Sequence, residues 1–379
     1  MGAMGKACLR TWINRVSTLL PGLLAAILLA WLSLWLSDWI GEKLLGFDKT
    51  PISAVLPAIL LGLVIRAAVP LPQVLKPGLG FGMKEVLRLG IILLGIRLTI
   101  FDVVRLGAYG VPIVLLCIGS ALLITARING WLQLPERLGA LIAVGTSICG
   151  VSAIVATGPA IDAKEEEVAY AVAVITIFGL FATLVYPYVA NTIFGGEALS
   201  AGLFLGTSVH DTSQVVGAAK AYADVFSAPQ ALDAATVTKL VRNVFMAIVL
   251  PLMAFRYSRT AQEPVESGGK MRFLRLLPLF IVGFLVLAVV RSAGDAAINA
   301  GGNAFGLWDQ ATWQSVHSLV KGWAETLMVI ALAAVGLSTD LRAFKGLGLR
   351  PLLAGLSAAL AAGIVSYIAI SLLGNLVTL

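Results

Sequence analysis

The residues best suited to chemistry are gathered in Gly206–Gly217, inside a sequence that is otherwise mostly apolar. Here His210 and Asp211 stand side by side, and His210 is one of only two histidines in the chain. Histidine titrates near neutrality, so a neighbouring carboxylate could help it to take up and release a proton. Ionisable residues in apolar segments are usually functional. The pair therefore predicts proton coupling, although a histidine that only ties a broken helix together is the simpler alternative.

A second segment repeats part of this pattern upstream. Gly145-Thr146-Ser147 reappears as Gly206-Thr207-Ser208 after 61 residues, and Ser152 matches Ser213 at the same offset. Hydroxyl and amide groups are neutral donors that can hold the oxygen atoms of an anion without adding charge. Small hydroxylated residues also let membrane helices pack closely, which is the alternative for any one of them. Taken as two clusters, they predict a binding site.

Positive charge follows the second cluster. Lys239 and Arg242 lie three residues apart and so share a helical face, where they would balance the charge of a buried anion. The alternative is that both side chains extend to the membrane surface. The predicted substrate-binding residues are Thr146, Ser147, Ser152, Thr207, Ser208, His210, Gln214, Lys239, Arg242 and Asn243. Proton coupling is assigned to His210 and Asp211.

The composition identifies the elements that must position these residues. The 379 residues are 59% hydrophobic and only 12% charged, whereas about a quarter of residues are charged in soluble domains. A spanning helix needs about 20 mostly apolar residues. The sequence therefore predicts an all-α polytopic membrane protein, a single transport domain over residues 1–379 with halves 16–190 and 199–379. The eleven expected spans are 17–39, 53–71, 86–101, 110–126, 138–160, 168–190, 199–221, 235–256, 275–292, 319–338 and 351–374.

The net charge of +7 reflects membrane topology rather than nucleic-acid binding, because the basic residues cluster in loops and no basic stripe alternates with aromatic residues. Basic loops face the cytoplasm, which predicts a cytoplasmic N-terminus and a C-terminus outside. The two main basic clusters are Arg256, Arg259, Lys270, Arg272 and Arg275, and Arg342, Lys345 and Arg350.

Glycine and proline predict interrupted helices in 138–160 and 199–221, which contain the two clusters. Irregular backbone at membrane depth is tolerated only inside protein or beside a wet cavity, so both are candidates for a substrate site. A second repeat pairs Leu94–Thr99 with Val335–Asp340, and the loop assignment makes these two run in opposite directions. The Gly-Thr-Ser segments would run in the same direction if each crossed once. Either one of them is re-entrant or the repeat order is not simple.

Motifs of other functions are missing from the sequence. It lacks a Walker phosphate loop, a His-Glu-x-x-His zinc motif and the Gly-x-Ser-x-Gly of serine hydrolases. Cys8, Cys117 and Cys149 have neither metal-ligand spacing nor the pattern of a disulfide framework. We therefore expect no enzymatic activity, no cofactor and no metal site. The charged run Lys164–Glu167 is expected to cap the helix that follows it.

These motifs together resemble the sulfate exporter family of bacterial inner-membrane proteins, the YeiH-like group, over essentially the whole chain. The resemblance rests on Gly145–Ala153, Gly206–Val215, Lys239–Asn243 and Val335–Asp340. It implies a multi-pass protein of the bacterial inner membrane, related to cation/proton antiporters and bile-acid transporters. It further implies two inverted repeats of about five helices, crossing broken helices, a core that moves against a scaffold, and a sulfur oxyanion as substrate.

We therefore expect a secondary active transporter of a small anion, sulfate or another sulfur oxyanion or organosulfonate, working by alternating access in the lipid bilayer. Two alternatives stay open, a cation/proton antiporter that relies on Asp211 and Glu325, and an uncoupled anion channel or receptor. The sequence leaves open whether the coupling ion is a proton or sodium. It also leaves open the direction of transport and whether the protein forms a homo-oligomer.

Overall fold

The structure is a computed structural model that describes residues 2–44, 53–258, 279–340 and 348–374. The described residues are almost entirely helical. The helices are α1 (Gly2–Asp38), α2 (Val55–Ala68), α3 (Lys76–Phe81), α4 (Leu87–Leu94), α5 (Ile100–Trp131), α6 (Glu136–Ser147), α7 (Val151–Ala160), α8 (Glu165–Ile193), α9 (Ala198–Ser208), α10 (Thr212–Val225), α11 (Pro229–Val244), α12 (Met246–Ser258), α13 (Leu279–Asn299), α14 (Gln310–Ser338) and α15 (Leu349–Leu373). Several loop residues used to predict the orientation lie outside the described residues, namely Arg259, Lys270, Arg272, Arg275, Arg342 and Lys345.

Seven helices of the described part are long and apolar enough to cross a membrane, which confirms the all-α membrane class. They are Val16–Asp38, Gly110–Trp131, Glu165–Ile193, Pro229–Tyr257, Leu279–Asn299, Gln310–Ser338 and Leu349–Leu373. Between α3 and α4 the chain forms a π-helical turn over Gly82–Val86. Helix α8 begins directly after Lys164, as predicted from the charged run Lys164–Glu167. The carboxylate of Glu167 caps this start by accepting a hydrogen bond of 2.8 Å from the backbone N–H of Lys164.

The two glycine-rich segments are interrupted, as predicted. Residues 148–150 separate α6 from α7, and residues 209–211 separate α9 from α10. At the first break Gly150 has a φ of +66°, a conformation that residues with a Cβ avoid. At the second break the carboxylate of Asp211 accepts a hydrogen bond of 2.9 Å from the backbone N–H of Ser213 and so starts α10.

The first broken segment turns back on itself instead of continuing across. Arg137, at the start of α6, forms an ion pair of 3.2 Å with Asp162, which follows the end of α7. Helix α6 therefore starts, and helix α7 ends, beside the beginning of α8. We call this pair of helices, α6–α7, the first hairpin. Residues 138–160 were expected to form one span. Their two helices of 12 and 10 residues instead pack against each other as a hairpin.

The second broken segment forms a hairpin at the opposite end of α8. The backbone N–H of Glu197, before α9, donates to the carbonyl of Phe194 at 3.1 Å. Near the end of α10, the hydroxyl of Tyr222 donates to the side chain of Asn191 at 3.4 Å. The second hairpin, α9–α10, therefore starts and finishes beside the end of α8. Helices α6 and α9 consequently run towards each other from opposite ends of α8. Residues 199–221 form a hairpin and not the single span that was expected.

We refer to the end of the molecule where α8 begins as the first end and to the other as the second end. Helices α11 and α12 together connect the two, and the hydroxyl of Tyr257 donates to the carbonyl of Glu136 at the first end, at 3.3 Å. Helix α14 lies antiparallel to α3–α4, because Gly90 approaches Met328 while Gly82 approaches Ala334. The segments Leu94–Thr99 and Val335–Asp340 accordingly run in opposite directions.

Candidate functional site

The tips of the two hairpins meet inside the protein. A Cβ atom placed on Gly150 would lie 3.1 Å from both the Cα and the Cβ of Asp211, so the backbones touch there. Helices α6 and α9 end at this junction, and α7 and α10 begin at it. Helix C-termini carry partial negative charge and N-termini partial positive charge. The junction therefore brings together two ends of each sign.

Arg242 satisfies the carbonyl ends of both hairpins. Its Nε donates to the carbonyl of Ser147 at 2.7 Å, and its Nη1 donates to those of Thr207 at 2.9 Å and Val209 at 3.0 Å. Its Nη2 donates to the carbonyl of Thr146. The residue is 1% exposed. Arg242 therefore joins α6 to α9 and does not extend to the membrane surface.

Lys239 acts one helical turn earlier on the same face of α11. Its Nζ donates to the carbonyl of Ile148 at 2.8 Å and to that of Val209 at 3.3 Å, and it also contacts the carbonyl of His210. The side chain is buried. Neither Lys239 nor Arg242 pairs with a carboxylate among the residues that the structure describes. Every hydrogen bond of these two groups within the described residues goes to a backbone carbonyl, and Asp211 is the carboxylate that acts on Lys239 electrostatically.

Three of the four hydroxyls of the Gly-Thr-Ser segments donate to carbonyls of their own helices, whereas that of Thr146 has no partner among the described residues. Ser147 donates to the carbonyl of Val144 at 3.2 Å, Thr207 to that of Leu203 at 2.7 Å, and Ser208 to that of Phe204 at 2.6 Å. All of these side chains are buried, as is that of Thr146. The structure thus places these four hydroxyl residues at the junction, and none of them lines the cavity described below.

His210 is also enclosed at the junction. It is fully buried, and neither ring nitrogen has a hydrogen-bond partner within the described part of the chain. Its neighbour Asp211 accepts a hydrogen bond of 2.7 Å from the hydroxyl of Ser213. Asn243 donates to the hydroxyl of Thr212 at 3.3 Å, and its side-chain oxygen has no partner among the described residues. Buried polar atoms without partners are uncommon and often mark functional positions.

A cavity of about 580 Å³ opens beside the junction, on the side of the first end. Three residues predicted for the site reach it, namely Ser152, Asp211 and Gln214. Gln214 is held there by a hydrogen bond of 3.3 Å to the carbonyl of Thr176. The lining residues are Met83, Lys84, Leu87, Arg88, Ile91, Val151, Ser152, Ala169, Val172, Ala173, Ile175, Thr176, Asp211, Thr212, Ser213, Gln214, Phe280, Val335, Ser338, Thr339 and Asp340.

The beginning of α7 lies at this cavity without a side-chain cap. Helix α10 is different, since the carboxylate of Asp211 caps it. The N–H groups of an uncapped helix start are donors available to an anion. The junction therefore presents its N–H ends towards the cavity while Lys239 and Arg242 occupy its carbonyl ends.

Sequence reasoning missed the charged residues on the far wall of the cavity. Lys84 lies in the π-helical turn, Arg88 follows it and pairs with Glu85 at 2.8 Å, and Asp340 pairs with Arg66. In the sequence, Lys84 is one basic residue just ahead of an apolar segment and belongs to no motif. A π-helical turn is a frequent mark of functional sites, but the sequence around Gly82 carries no signal for one. Val335–Asp340 was identified as a repeat and as a motif of the family resemblance, but not as part of a site.

Ion pairs close the molecule on the side of the second end. Arg97, after α4, binds the carboxylate of Asp233 on α11 at 2.6 Å and that of Glu325 on α14 at 3.4 Å. Lys220 on α10 lies 3.6 Å from Glu325 and also pairs with Asp224. This network links the second hairpin and α11 to α4 and α14. Only 8% of the Arg97 side chain is exposed.

Comparisons with known proteins agree with a membrane protein. A family model described as conserved hypothetical protein 698 matches residues 21–355. A UPF0324 membrane protein of Streptococcus pyogenes serotype M3 is 33% identical over 287 residues, which cover 75% of this chain and 79% of the relative. One from Fusobacterium nucleatum is 30% identical over 310 residues, covering 81% and 87%. One from Streptococcus agalactiae is 31% identical over 333 residues, covering 88% and 93%. The chain therefore belongs to the family of conserved hypothetical protein 698, and its relatives are UPF0324 membrane proteins.

Proposed function

We propose that this protein is a secondary active transporter of a small anion, with no enzymatic activity. The observation that carries the proposal is the junction of two broken hairpins beside a cavity that opens towards one end. Transporters bind substrate between discontinuous helices, whose N-termini point at anionic groups. The start of α7, with Val151 and Ser152 at the cavity wall, meets this requirement.

The charge around the cavity also favours an anion. Lys84 lines the cavity beside α4, so an anion between it and α7 would meet positive charge from two sides, whereas Arg88 pairs with Glu85 and adds little. Asp340 adds little negative charge because Arg66 pairs with it. Asp211 caps α10, which offsets its charge against the positive end of that helix. We propose sulfate or another sulfur oxyanion or organosulfonate as the substrate, on the strength of the family resemblance.

The two opposed hairpins fit a pair of inverted repeats that work by alternating access. We place the protein in the inner membrane with its N-terminus in the cytoplasm. In this arrangement the first end faces the cytoplasm, and α6–α8 correspond to α9–α12. The cavity at the first end and the ion-pair network at the second end would then represent the inward-open state. The hairpins would move as a core against a scaffold that includes α4 and α14.

Proton coupling is proposed for His210 and Asp211. Asp211 faces the cavity, and the buried His210 beside it has two free ring nitrogens among the described residues. In proteoliposomes, anion flux driven by a pH gradient should collapse in His210→Ala, while Asn129→Ala, a buried polar change outside the junction, keeps it. Flux in His210→Ala that responds to the gradient as before would exclude the coupling role.

The substrate class can be tested by thermal unfolding of the purified protein with sulfate, sulfite, thiosulfate, taurine and small carboxylates, because a ligand of the folded state stabilises it. Lys84→Gln should weaken the affinity for the stabilising anion by roughly fivefold, on the order of 1 kcal/mol. Arg127→Gln is the matched control, since Arg127 is an exposed cation on α5 outside the cavity. Equal affinity in both variants would place the anion elsewhere.

A cation/proton antiporter is the second candidate, because Asp211 and Asp340 both line the cavity. Asp211→Asn separates the two functions. A cation site would lose its carboxylate and its exchange activity, whereas anion binding should persist or strengthen. Uphill accumulation of the anion would in turn exclude an uncoupled channel or receptor.

A further inference from the structure

The carbonyl ends at the junction form a cation site that the protein fills with its own side chain. The Nζ of Lys239 lies among the carbonyl oxygens of Ile148, Val209 and His210, which come from both hairpins. The site is sealed, since Lys239 is 1% exposed. Backbone oxygens arranged around one point are the ligands that small monovalent cations use in membrane proteins.

Arg242 extends the same arrangement by one helical turn. It donates to three further carbonyls, those of Thr146, Ser147 and Thr207, and shares that of Val209 with Lys239; like Lys239 it forms no ion pair with a carboxylate among the described residues. The counter-charge for both cations therefore comes from the negative ends of the two helices that converge on them, together with the carboxylate of Asp211, which acts on Lys239 from beyond ion-pair distance. In transporters with broken helices, such unwound carbonyls and half-helix C-termini coordinate the coupling ion.

We propose that Lys239 and Arg242 are built-in cations in the place of a coupling ion, so that the transport cycle needs no sodium or other free metal cation. The expectation that anion flux does not depend on sodium rests on the proposed transport function. The latent cation site around Lys239 follows from the contacts alone. Because the two side chains take the place of sodium, the proton is the coupling ion that remains of the two considered above.

The first experiment uses the unchanged protein in proteoliposomes. Anion flux is measured in sodium salts and in N-methylglucamine salts at equal ionic strength and equal pH gradient. We expect rates that agree within about twofold. A fall of tenfold or more without sodium would overturn the inference, while leaving the protein an anion transporter.

The second experiment tests the cation site by chemical rescue in Lys239→Ala. Removal of the side chain leaves space for a small cation among the three carbonyls, so methylammonium should raise the melting temperature saturably, by about 2 °C or more. Tetramethylammonium, which is too large, controls for ionic strength. Lys84→Ala is the matched variant and should show no saturable rise. Equal responses of the two variants, or of Lys239→Ala to the two cations, would contradict the inference.

Arg242→Gly tests the carbonyl ends a second time and is purified in methylguanidinium throughout, because the junction depends heavily on this side chain. Methylguanidinium should stabilise Arg242→Gly and leave the unchanged protein unaffected, and absence of that rescue counts against the inference. The two proposals fail in different ways. If no anion binds or moves while rescue succeeds, the transport function is wrong and the cation site stands.

Discussion

The junction of the hairpins depends most heavily on Arg242, and its replacement is the sharpest test of the fold around the site. In Arg242→Gln the carbonyls of Thr146, Ser147 and Thr207 each lose a charged donor, whereas Val209 keeps its bond from Lys239. A buried group that loses its partner costs about 1–3 kcal/mol. Glutamine can serve one of the three, so the expected loss of stability is about 2–6 kcal/mol.

The assay is thermal unfolding in detergent at a fixed scan rate, followed by tryptophan fluorescence, because membrane proteins often unfold irreversibly. At about 2 °C per kcal/mol for a chain of this size, the melting temperature should fall by roughly 4–12 °C. Arg88→Gln, an exposed arginine at the cavity, should stay within about 1 °C, as surface changes usually do. Arg242→Lys should fall in between, since lysine keeps the charge but loses the planar fork. A melting temperature for Arg242→Gln equal to that of Arg88→Gln would refute the role of Arg242.

Three further changes test other parts of the structure. Gly150→Ala would strain a position with a φ of +66° and press a methyl group against Asp211 at 3.1 Å, so thermal unfolding should show a loss of about 1–3 kcal/mol. Asp233→Asn removes the 2.6 Å ion pair with Arg97 at the second end, and a single cysteine introduced there should be labelled faster; an unchanged labelling rate would show that the network does not close that end. Hydrogen bonds from Thr312 hold the pKa of Asp309 below its usual value of 3.8, so this cap of α14 stabilises the fold above that value and is lost as pH falls through the lower folded pKa. Asp309→Ala should therefore lower the melting temperature at pH 7, and its difference from the unchanged protein should shrink as the pH falls below 3.8.

The sequence predicted where the helices break, but it could not reveal that the broken segments turn back. The Gly-Thr-Ser pair and Gly150 marked both breaks correctly. A hairpin of two short apolar helices and one long span have the same length and composition, so hydropathy cannot separate them. The pairing of Arg137 with Asp162, residues separated by 25 positions, is what shows the turn. The predicted conflict of direction between the two copies was the only hint of it.

Some residues of the site could be predicted from the sequence and others could not, because the sequence does not show which groups a side chain contacts. Lys239 and Arg242 stood out as cations in an apolar helix that could balance the charge of a buried anion, and the structure binds both to the junction away from the cavity. Their partners are backbone carbonyls, which every residue possesses and no sequence pattern marks. Lys84 escaped notice for the opposite reason, since it resembles the other basic loop residues until the π-helical turn places it at the cavity.

The hydrogen bonds between the hairpins and α11 also determine when each hairpin can be completed during synthesis of the chain. The first hairpin is synthesised well before the residues that satisfy its carbonyls, since Lys239 lies 91 positions after Ile148 and Arg242 lies 95 after Ser147. At about 5–20 residues per second, a ribosome needs roughly 5–20 seconds to add that length. During this interval the tip of the hairpin has no permanent donors. A nascent chain stopped before α11 should therefore stay susceptible to quality-control proteases, and insertion of the hairpin should become secure only when α11 arrives.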